Sequence, residues 1–456
     1  MNIAFVAQPW HELHPLRRRG SLGIWTSEVV ERLTPANRVV VYSPGKSDHR
    51  LRSVDHDGAE YVYIPKTWMR ATETVDRVLR RVRHPLGGDS TRLPSFARMT
   101  SYLGYILWIA WDLRRRNCDI VHVHNFSQFI PIIRMLNPDV RTVLHMHCDW
   151  LNQVDHATIA GRLKRTDLVI GCSDHVSSGV RDAHPEYDRR ITTVYNGVDT
   201  QAFTCAPSTR HSDSKDPSRE DVFRLLFVSR VSPEKGVHVL LRAMIRLQDV
   251  VPNIKLTIVG GHYPVPYEYL VGVSDDPIVR SLHRFYASER RRRCMYREHL
   301  ERVVRLKLPD TVDFVGRIPH EEITSYYQKS DVLVAPSLSE AFGMPVVEAM
   351  AAGLPVVAAR TGGLTEIIIN NQTGRIVAPD NSRQLADAIL ELYQSPSLRC
   401  AMGEAGRLRV RECFDWDRVV QRLLEAYEVA FSGASDAQIP SFMNDETRVQ
   451  VSSFDS

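Results

Sequence analysis

The sequence predicts an α/β protein of two doubly wound, Rossmann-like domains facing a cleft. Three observations carry this. Short apolar runs alternate with amphipathic helical stretches along most of the chain, the pattern of a parallel sheet covered by helices. The alternation stops once and begins again: residues 206–220, PSTRHSDSKDPSRED, are polar and rich in Pro and Ser, which marks an interdomain linker. The length of 456 residues suits two or three domains of roughly 100–200 residues each. The boundaries assigned are 1–205 for the first domain, 221–412 for the second and 413–431 for a C-terminal helical segment. Residues 432–456 are polar and unpatterned, and are expected to be disordered.

The elements follow in order. Ile3 to Ala7 reads as a first strand; MNIAFVAQPW has no basic region followed by an apolar one, so it does not read as a signal peptide. A polar loop rich in Arg and Gly leads to a helix from about Ile24 to Leu33. Val39 to Tyr42, Ile120 to His124, Thr142 to Met146, Leu168 to Cys172 and Ile191 to Val194 are further strands. After the linker, Arg224 to Val228, Lys255 to Val259, Val312 to Phe314, Val332 to Ala335 and Pro355 to Ala358 repeat the pattern. Residues 260–311 begin irregularly and continue into a basic helical segment. A last helix is expected from about Trp416 to Phe431.

Composition is that of a soluble globular protein, and a net charge of +4 does not argue for a nucleic-acid partner. The basic runs Arg17–Arg19, Arg77 to Arg83, Arg114–Arg116 and Arg290 to Arg293 read first as solvated helix faces, and second as attraction to anionic lipid or substrate. The aromatic stretch before Arg114, with Tyr102, Tyr105, Trp108 and Trp111, allows peripheral contact with an anionic membrane, although a core-packing helix with a solvated basic end is the commoner arrangement. The longest apolar run, Leu103 to Trp111, is about half of the roughly 20 residues that a spanning helix needs. Seven scattered cysteines without a Cys-x-x-Cys pair point to a reducing, cytoplasmic compartment and no structural zinc.

Chemistry concentrates in Ser337 to Glu366, SLSEAFGMPVVEAMAAGLPVVAARTGGLTE. A loop entering a helix leaves backbone N–H groups unpaired, and these favour an anion. Glu340 before the helix and Glu348 within it, eight residues apart, suit two sets of hydroxyls flanking that anion. Phe342, Gly343 and Met344 would offer the N–H groups, with Gly343 allowing close backbone approach. Arg230 and Lys235 follow a strand and could neutralise a phosphate, Arg bidentately and Lys as a point charge. No Asp-x-Asp pair that could bridge a metal is read in the chain; Asp275-Asp276 is adjacent and followed by Pro277. His122 and His124 share one face of a strand by its period of two, with His124 at the carboxyl end, and His145 and His147 repeat the arrangement on the next strand. His124 is expected to reach the cleft, with His147 as a second candidate. Four histidines could in principle hold a metal, but spacing alone does not place them around one ion, and no metal site is assigned.

Glu340-Ala341-Phe342-Gly343 followed by Glu348-Ala349-Met350-Ala351 resembles the donor-site signature of the retaining family-4 glycosyltransferases of GT-B fold. Arg230 with Glu234-Lys235-Gly236, the segment Asp313 to Arg317, and Tyr195 to Asp199 with Phe203 resemble further parts of the same family, over roughly residues 1 to 430. The resemblance implies the GT-B architecture, with the C-terminal helix returning to the first domain. It implies transfer of a hexose, with retention, from a nucleotide diphosphate sugar to a hydroxyl acceptor such as a glycan, a lipid-linked acceptor or a small molecule. By the same resemblance Glu348 holds the donor ribose, Glu340 the sugar, and the Arg317–Ile318 loop the base. Gly23, in Gly20-Ser21-Leu22-Gly23, would touch the diphosphate through its N–H, and His124 would stand on the acceptor side near the reacting sugar. No cofactor is expected beyond the donor, which needs no divalent metal. The alternatives are a GT-B nucleotide-sugar epimerase and a non-catalytic nucleotide-sugar-binding subunit. Oligomeric state is left open.

Overall fold

The strands of the first half run IAFV, VVVYS, IVHVH and TVLHM, apolar at nearly every position, as strands covered on both faces require. In the computed structural model they pair accordingly. It describes residues 1–10, 12–16, 20–45, 52–67, 94–203, 222–286 and 295–431. The basic runs Arg17–Arg19, Arg77 to Arg83 and Arg290 to Arg293, the linker 206–220, the tail 432–456, Cys205 and Cys294 lie outside the described residues.

Eight strands form the first sheet: β1 (Asn2–Val6), β2 (Arg38–Pro44), β3 (Arg52–His56), β4 (Ala59–Ile64), β5 (Ile120–His124), β6 (Arg141–Met146), β7 (Leu168–Gly171) and β8 (Ile191–Thr193). Their order is β3-β4-β2-β1-β5-β6-β7-β8. Among the described residues of this sheet, only the β3–β4 pair is antiparallel. That hairpin was not anticipated from the sequence. Its turn is Asp57-Gly58 with both residues at positive φ (47° and 79°), the conformation a two-residue hairpin turn favours.

Six strands form the second sheet: β9 (Phe223–Val228), β10 (Ile254–Val259), β11 (Val312–Gly316), β12 (Val332–Ala335), β13 (Val356–Ala359) and β14 (Gly374–Val377). All pairs are parallel, in the order β11-β10-β9-β12-β13-β14. Leu240, Leu241 and Met244 of the helix Val237–Leu247 pack with Phe227, Ile258 and Ile389 in its core. Each sheet reverses its winding direction once, between β1 and β5 in the first and between β9 and β12 in the second. Ligands of open parallel sheets sit beyond the carboxyl ends of strands at such a reversal.

The chain divides into two compact units, Met1–Tyr195 with Asp417–Ser456, and Asn196–Trp416. The second unit thus begins at Asn196 rather than at the linker. Val198 bridges Asp415, and Gly197 lies so close to the Trp416 indole that a Cβ would come within 2.5 Å of the ring. Gly197 is absent from the residues of positive φ, so the position uses its small size and not its backbone freedom. Asp199 makes local turn bonds, accepting from the N–H groups of Gln201 and Ala202 at 2.9 Å. The helix Trp416–Phe431 has the expected limits, and from Asp417 onward it belongs to the first unit. There Asp417 pairs with Arg32 at 2.6 Å, and the Tyr427 hydroxyl lies 2.6 Å from His122 Nδ1.

The helix Leu103–Arg116 buries Tyr105, Ile106, Ile109, Ala110 and Leu113, while Leu107 and Trp111 stay exposed with the Arg115 guanidinium over the Trp111 ring. Among the described residues no helix is long and apolar enough to cross a membrane. Cys118, Cys148, Cys172, Cys400 and Cys413 are free.

Candidate functional site

The second unit brings Lys235 and Glu340 together at the β9–β12 reversal. Beyond β9 the chain passes through Arg230 into a 3-10 turn, Pro233–Lys235, ended by Gly236 at φ 71°. A Cβ on Gly236 would lie 1.9 Å from the Pro336 carbonyl oxygen, so only glycine lets the two loops meet here. Beyond β12, Glu340 precedes the helix Met344–Ala351, whose N-cap Gly343 stands at φ 119°. The consequence is a contact between the loops: Lys235 Nζ donates to Glu340 Oε2 at 2.7 Å, with Ser337 Oγ donating to the same oxygen at 3.3 Å. Lys235 is nearly buried, so its charge has little water around it. Arg230 is about half exposed and stands 3.6 Å from the buried Glu234.

The helix Met344–Ala351 places its first amides beside this pair. Pro345 occupies its first turn, where no N–H is missed, and the N–H groups of Val346 and Val347 both turn to the Gly343 carbonyl. The helix N-terminus, Lys235 and Arg230 gather positive charge at this end of the loops, beside the Glu340 carboxylate.

Glu348 is buried within the helix and satisfied on both oxygens. His320 Nε2 lies 3.0 Å from Oε1, and the Tyr327 hydroxyl donates to Oε2 at 2.7 Å. Burial, with the neighbouring Glu348 charge and hydrogen bond adding to it, holds the Tyr327 phenol far above its ordinary pKa. His320 and Tyr327 were not singled out from the sequence, because nothing in their spacing ties them to residue 348. An ionised carboxylate offers about four acceptor positions, so two remain for a ligand. The Arg317–Ile318 loop follows β11, with Arg317 exposed. Beside it a cavity of ≈ 430 Å³ is lined by Gly261, His262, Tyr263, Phe314 and Gly316, among others.

In the first unit the helix after β1 begins at Gly20, not Ile24. Gly23 is therefore buried in the first turn rather than in a loop, still among the four N-terminal residues whose N–H groups lack an intrahelical acceptor. β5 and β6 bring four imidazoles into one group. His122 Nε2 and His145 Nδ1 are 3.1 Å apart, as are His124 Nδ1 and His147 Nε2. The His145 and His147 rings stack at 4.2 Å, and Trp25 packs edge-on against His124 and His145 at about 5 Å. His124 was expected to reach the open strand end; it is instead fully enclosed, with Nε2 buried and without a partner. The reason is the cover that Phe5 and Trp25 provide. His147 is the one that keeps partial exposure. Burial first, and the mutual repulsion of the rings second, hold His122, His124 and His145 neutral; burial pushes His147 down to about 3.

The expectation of no Asp-x-Asp pair needs correcting, because two such spacings occur, at Asp55-His56-Asp57 and Asp415-Trp416-Asp417. Neither converges on one point. Asp57 sits in the β3–β4 turn against His56, Asp415 accepts from Thr200 Oγ1, and Asp417 pairs with Arg32.

The family described as glycosyl transferases group 1 matches residues 209–409, and glycosyltransferase family 4 matches residues 23–202. The glycogen synthase of Mycobacterium tuberculosis (strain CDC 1551 / Oshkosh) is 29% identical over 332 residues, which span 70% of this chain and 71% of the relative. A sucrose-phosphate synthase from Thermosynechococcus elongatus shares the fold with a TM-score of 0.67 at 21% identity, covering 95% of this chain and 100% of that one. The Anabaena HepE protein, solved in complex with UDP, does so with a TM-score of 0.64 at 20% identity, covering 94% and 100%.

Proposed function

Because the chain belongs to the family-4 glycosyltransferases of GT-B fold, we propose that it moves a hexose from a nucleotide diphosphate sugar to a hydroxyl-bearing acceptor, with retention and without a divalent metal. The observation that carries this reading is the Lys235–Glu340 contact beside the Gly343-capped helix N-terminus, at the β9–β12 reversal. Cleavage of the anomeric C–O bond leaves its electron pair on a phosphate oxygen. Lys235, Arg230 and the amides of Gly343 and Met344 stabilise that charge, most strongly where water is excluded. Lys235 exchanges Glu340 for the diphosphate when donor binds, which frees Glu340 to accept from the sugar hydroxyls.

Glu348 takes the ribose hydroxyls. His320, the less enclosed of its two partners, gives way while Tyr327 holds the carboxylate in place. The base occupies the cavity beside Gly316 and the Arg317–Ile318 backbone. In the transfer itself the acceptor oxygen bonds to the anomeric carbon on the face that the phosphate leaves, and its proton passes to the leaving phosphate. The His124–His147 pair contributes neutral imidazole, with the enclosed His124 orienting the more accessible His147 toward acceptor or sugar hydroxyls.

Peripheral contact with anionic lipid rests on Leu107, Trp111, Arg114 and Arg115, all exposed on one helix. Cosedimentation with phosphatidylserine vesicles, lost in Trp111→Ala/Arg115→Ala, tests it. For the donor, a panel of UDP- and GDP-hexoses is assayed by calorimetry and by release of the nucleoside diphosphate. The expected result is saturable binding of one nucleotide class and sugar-dependent release. Absence of both over the panel would overturn the assignment.

A further inference from the structure

On the first unit, three metal-ligating side chains meet at a place unrelated to the transfer residues. His156 opens the helix His156–Leu163, His184 closes the helix Asp174–Ala183, and Glu186 lies in the following 3-10 turn, Pro185–Arg190. One ligand atom from each lies within 4.8 Å of the other two. The helix ending at His184 runs back from the carboxyl end of β7, so this group lies away from the strand ends that carry His124 and His147.

His184 is the informative member. It is fully buried, and its Nδ1 has no hydrogen-bond partner. Its Nε2 faces the Leu151 carbonyl oxygen at 3.4 Å, and a carbonyl only accepts, so Nε2 carries the proton and Nδ1 keeps its lone pair. A backbone carbonyl on one imidazole nitrogen, fixing the tautomer and ring orientation, is the outer-shell arrangement of metal-bound histidines. The Glu186 carboxylate stands 3.9 Å from this Nδ1. The His156 ring stacks on His184 with centroids 4.4 Å apart and planes 22° apart, so both rings can turn a nitrogen to the same side. An unpartnered buried nitrogen is costly. A stacked histidine pair with a nearby surface glutamate, and nothing more, would leave that cost unrelieved.

We propose that His156, His184 and Glu186 bind a transition-metal dication, zinc(II) by the chemistry of the ligands. Two imidazoles and one carboxylate suit zinc, which completes a tetrahedron with water. His184 is the fixed ligand. His156 and Glu186 are exposed and can close on the ion, which needs zinc–ligand distances of about 2.0–2.2 Å. The bound ion ties the start of one helix to the end of another and stabilises the first unit without entering the transfer chemistry.

The test uses the full chain, stripped of metal, and zinc chloride alone, with cobalt(II) as an optical probe. Calorimetry is expected to show saturable uptake of zinc by the wild type. His156→Ala and Glu186→Gln should each weaken it by at least about tenfold, the loss that even an outer-shell partner produces. Cobalt should give tetrahedral d–d absorption in the wild type and lose it in the double variant. Zinc should raise the wild-type unfolding temperature and not that of the double variant, each compared with its own metal-free form. No saturable uptake by the wild type would overturn the proposal. So would uptake unchanged in the double variant, which would place the ion elsewhere, such as among His122, His124 and His145.

Discussion

Lys235 and Glu340 neutralise each other in a nearly water-free place, and each therefore reports on the other. Lys235→Ala should cost about 2–4 kcal/mol of transition-state stabilisation, the scale for losing a group that faces developing charge. Steady-state kinetics should show it mainly in kcat, with a smaller change in donor affinity. Arg230, half exposed beside Glu234, should matter less than Lys235, because charge in contact with water is screened. Glu340→Gln and Glu348→Gln should separate by ligand. The first should spare binding of the sugar-free nucleoside diphosphate and weaken the intact donor; the second should weaken both. Calorimetry with the two ligands distinguishes them, and equal losses on the sugar-free nucleotide would contradict the division. Glu340, Glu348, Arg230 and Lys235 were legible in the sequence because glycines, prolines and charges mark the loops that hold them. His320 and Tyr327 were not, since their link to Glu348 is made by the packing of a different helix and turn.

At the scale of elements, nearly all the parallel strands were legible because burial on both faces makes them continuous apolar runs. The β3–β4 hairpin and β14 were not. Arg52–His56 holds a single apolar residue, Val54, and Gly374–Val377 opens with Gly and Arg, so neither presents such a run. The Asp57-Gly58 turn was the available signal for the hairpin. The paired strands β5 and β6 carry a consequence for pH. In the unfolded chain the four histidines titrate near 6.5, whereas burial holds them neutral far below that in the fold, to about 3 for His147. Between those values the unfolded state binds more protons, so stability rises with pH through this window. It should be complete above about pH 6.5 and fall steadily as the medium is acidified. Urea midpoints measured from pH 7.5 to 5 check this; His147→Gln should flatten the slope, and a midpoint independent of pH would contradict the burial of the cluster. His147→Ala should also lower transfer to acceptor more than donor affinity, because small errors in placing reacting groups are costly.

For the whole molecule, the division into two α/β units was legible from the break in alternation, while the point of division was not. Gly197 against Trp416 and Val198 against Asp415 draw the residues after Tyr195 into the second unit, and such contacts between distant segments leave no local trace in the sequence. A prediction about metal belongs at this scale. Treatment with EDTA should leave the transfer rate within about twofold of the untreated enzyme, since Lys235 and Arg230 supply the charge a metal would bring, even as it lowers the unfolding temperature by emptying the His156–His184–Glu186 site. Full loss of activity restored by manganese would show that the leaving group depends on an ion.

The first unit is discontinuous in sequence: its two segments lie on either side of the whole second unit. Synthesis runs in one direction, so a nascent chain possesses all of β1 to β8 long before it possesses Tyr427. Until then His122 Nδ1 has no hydroxyl to meet, and the face that Val419, Leu423 and Tyr427 will cover is bare. The second unit, contiguous from Asn196 to Trp416, needs nothing made later. The segment made after the second unit therefore completes the unit begun before it, and a chain released between Trp416 and Tyr427 would carry a finished second unit attached to an open-sided first one.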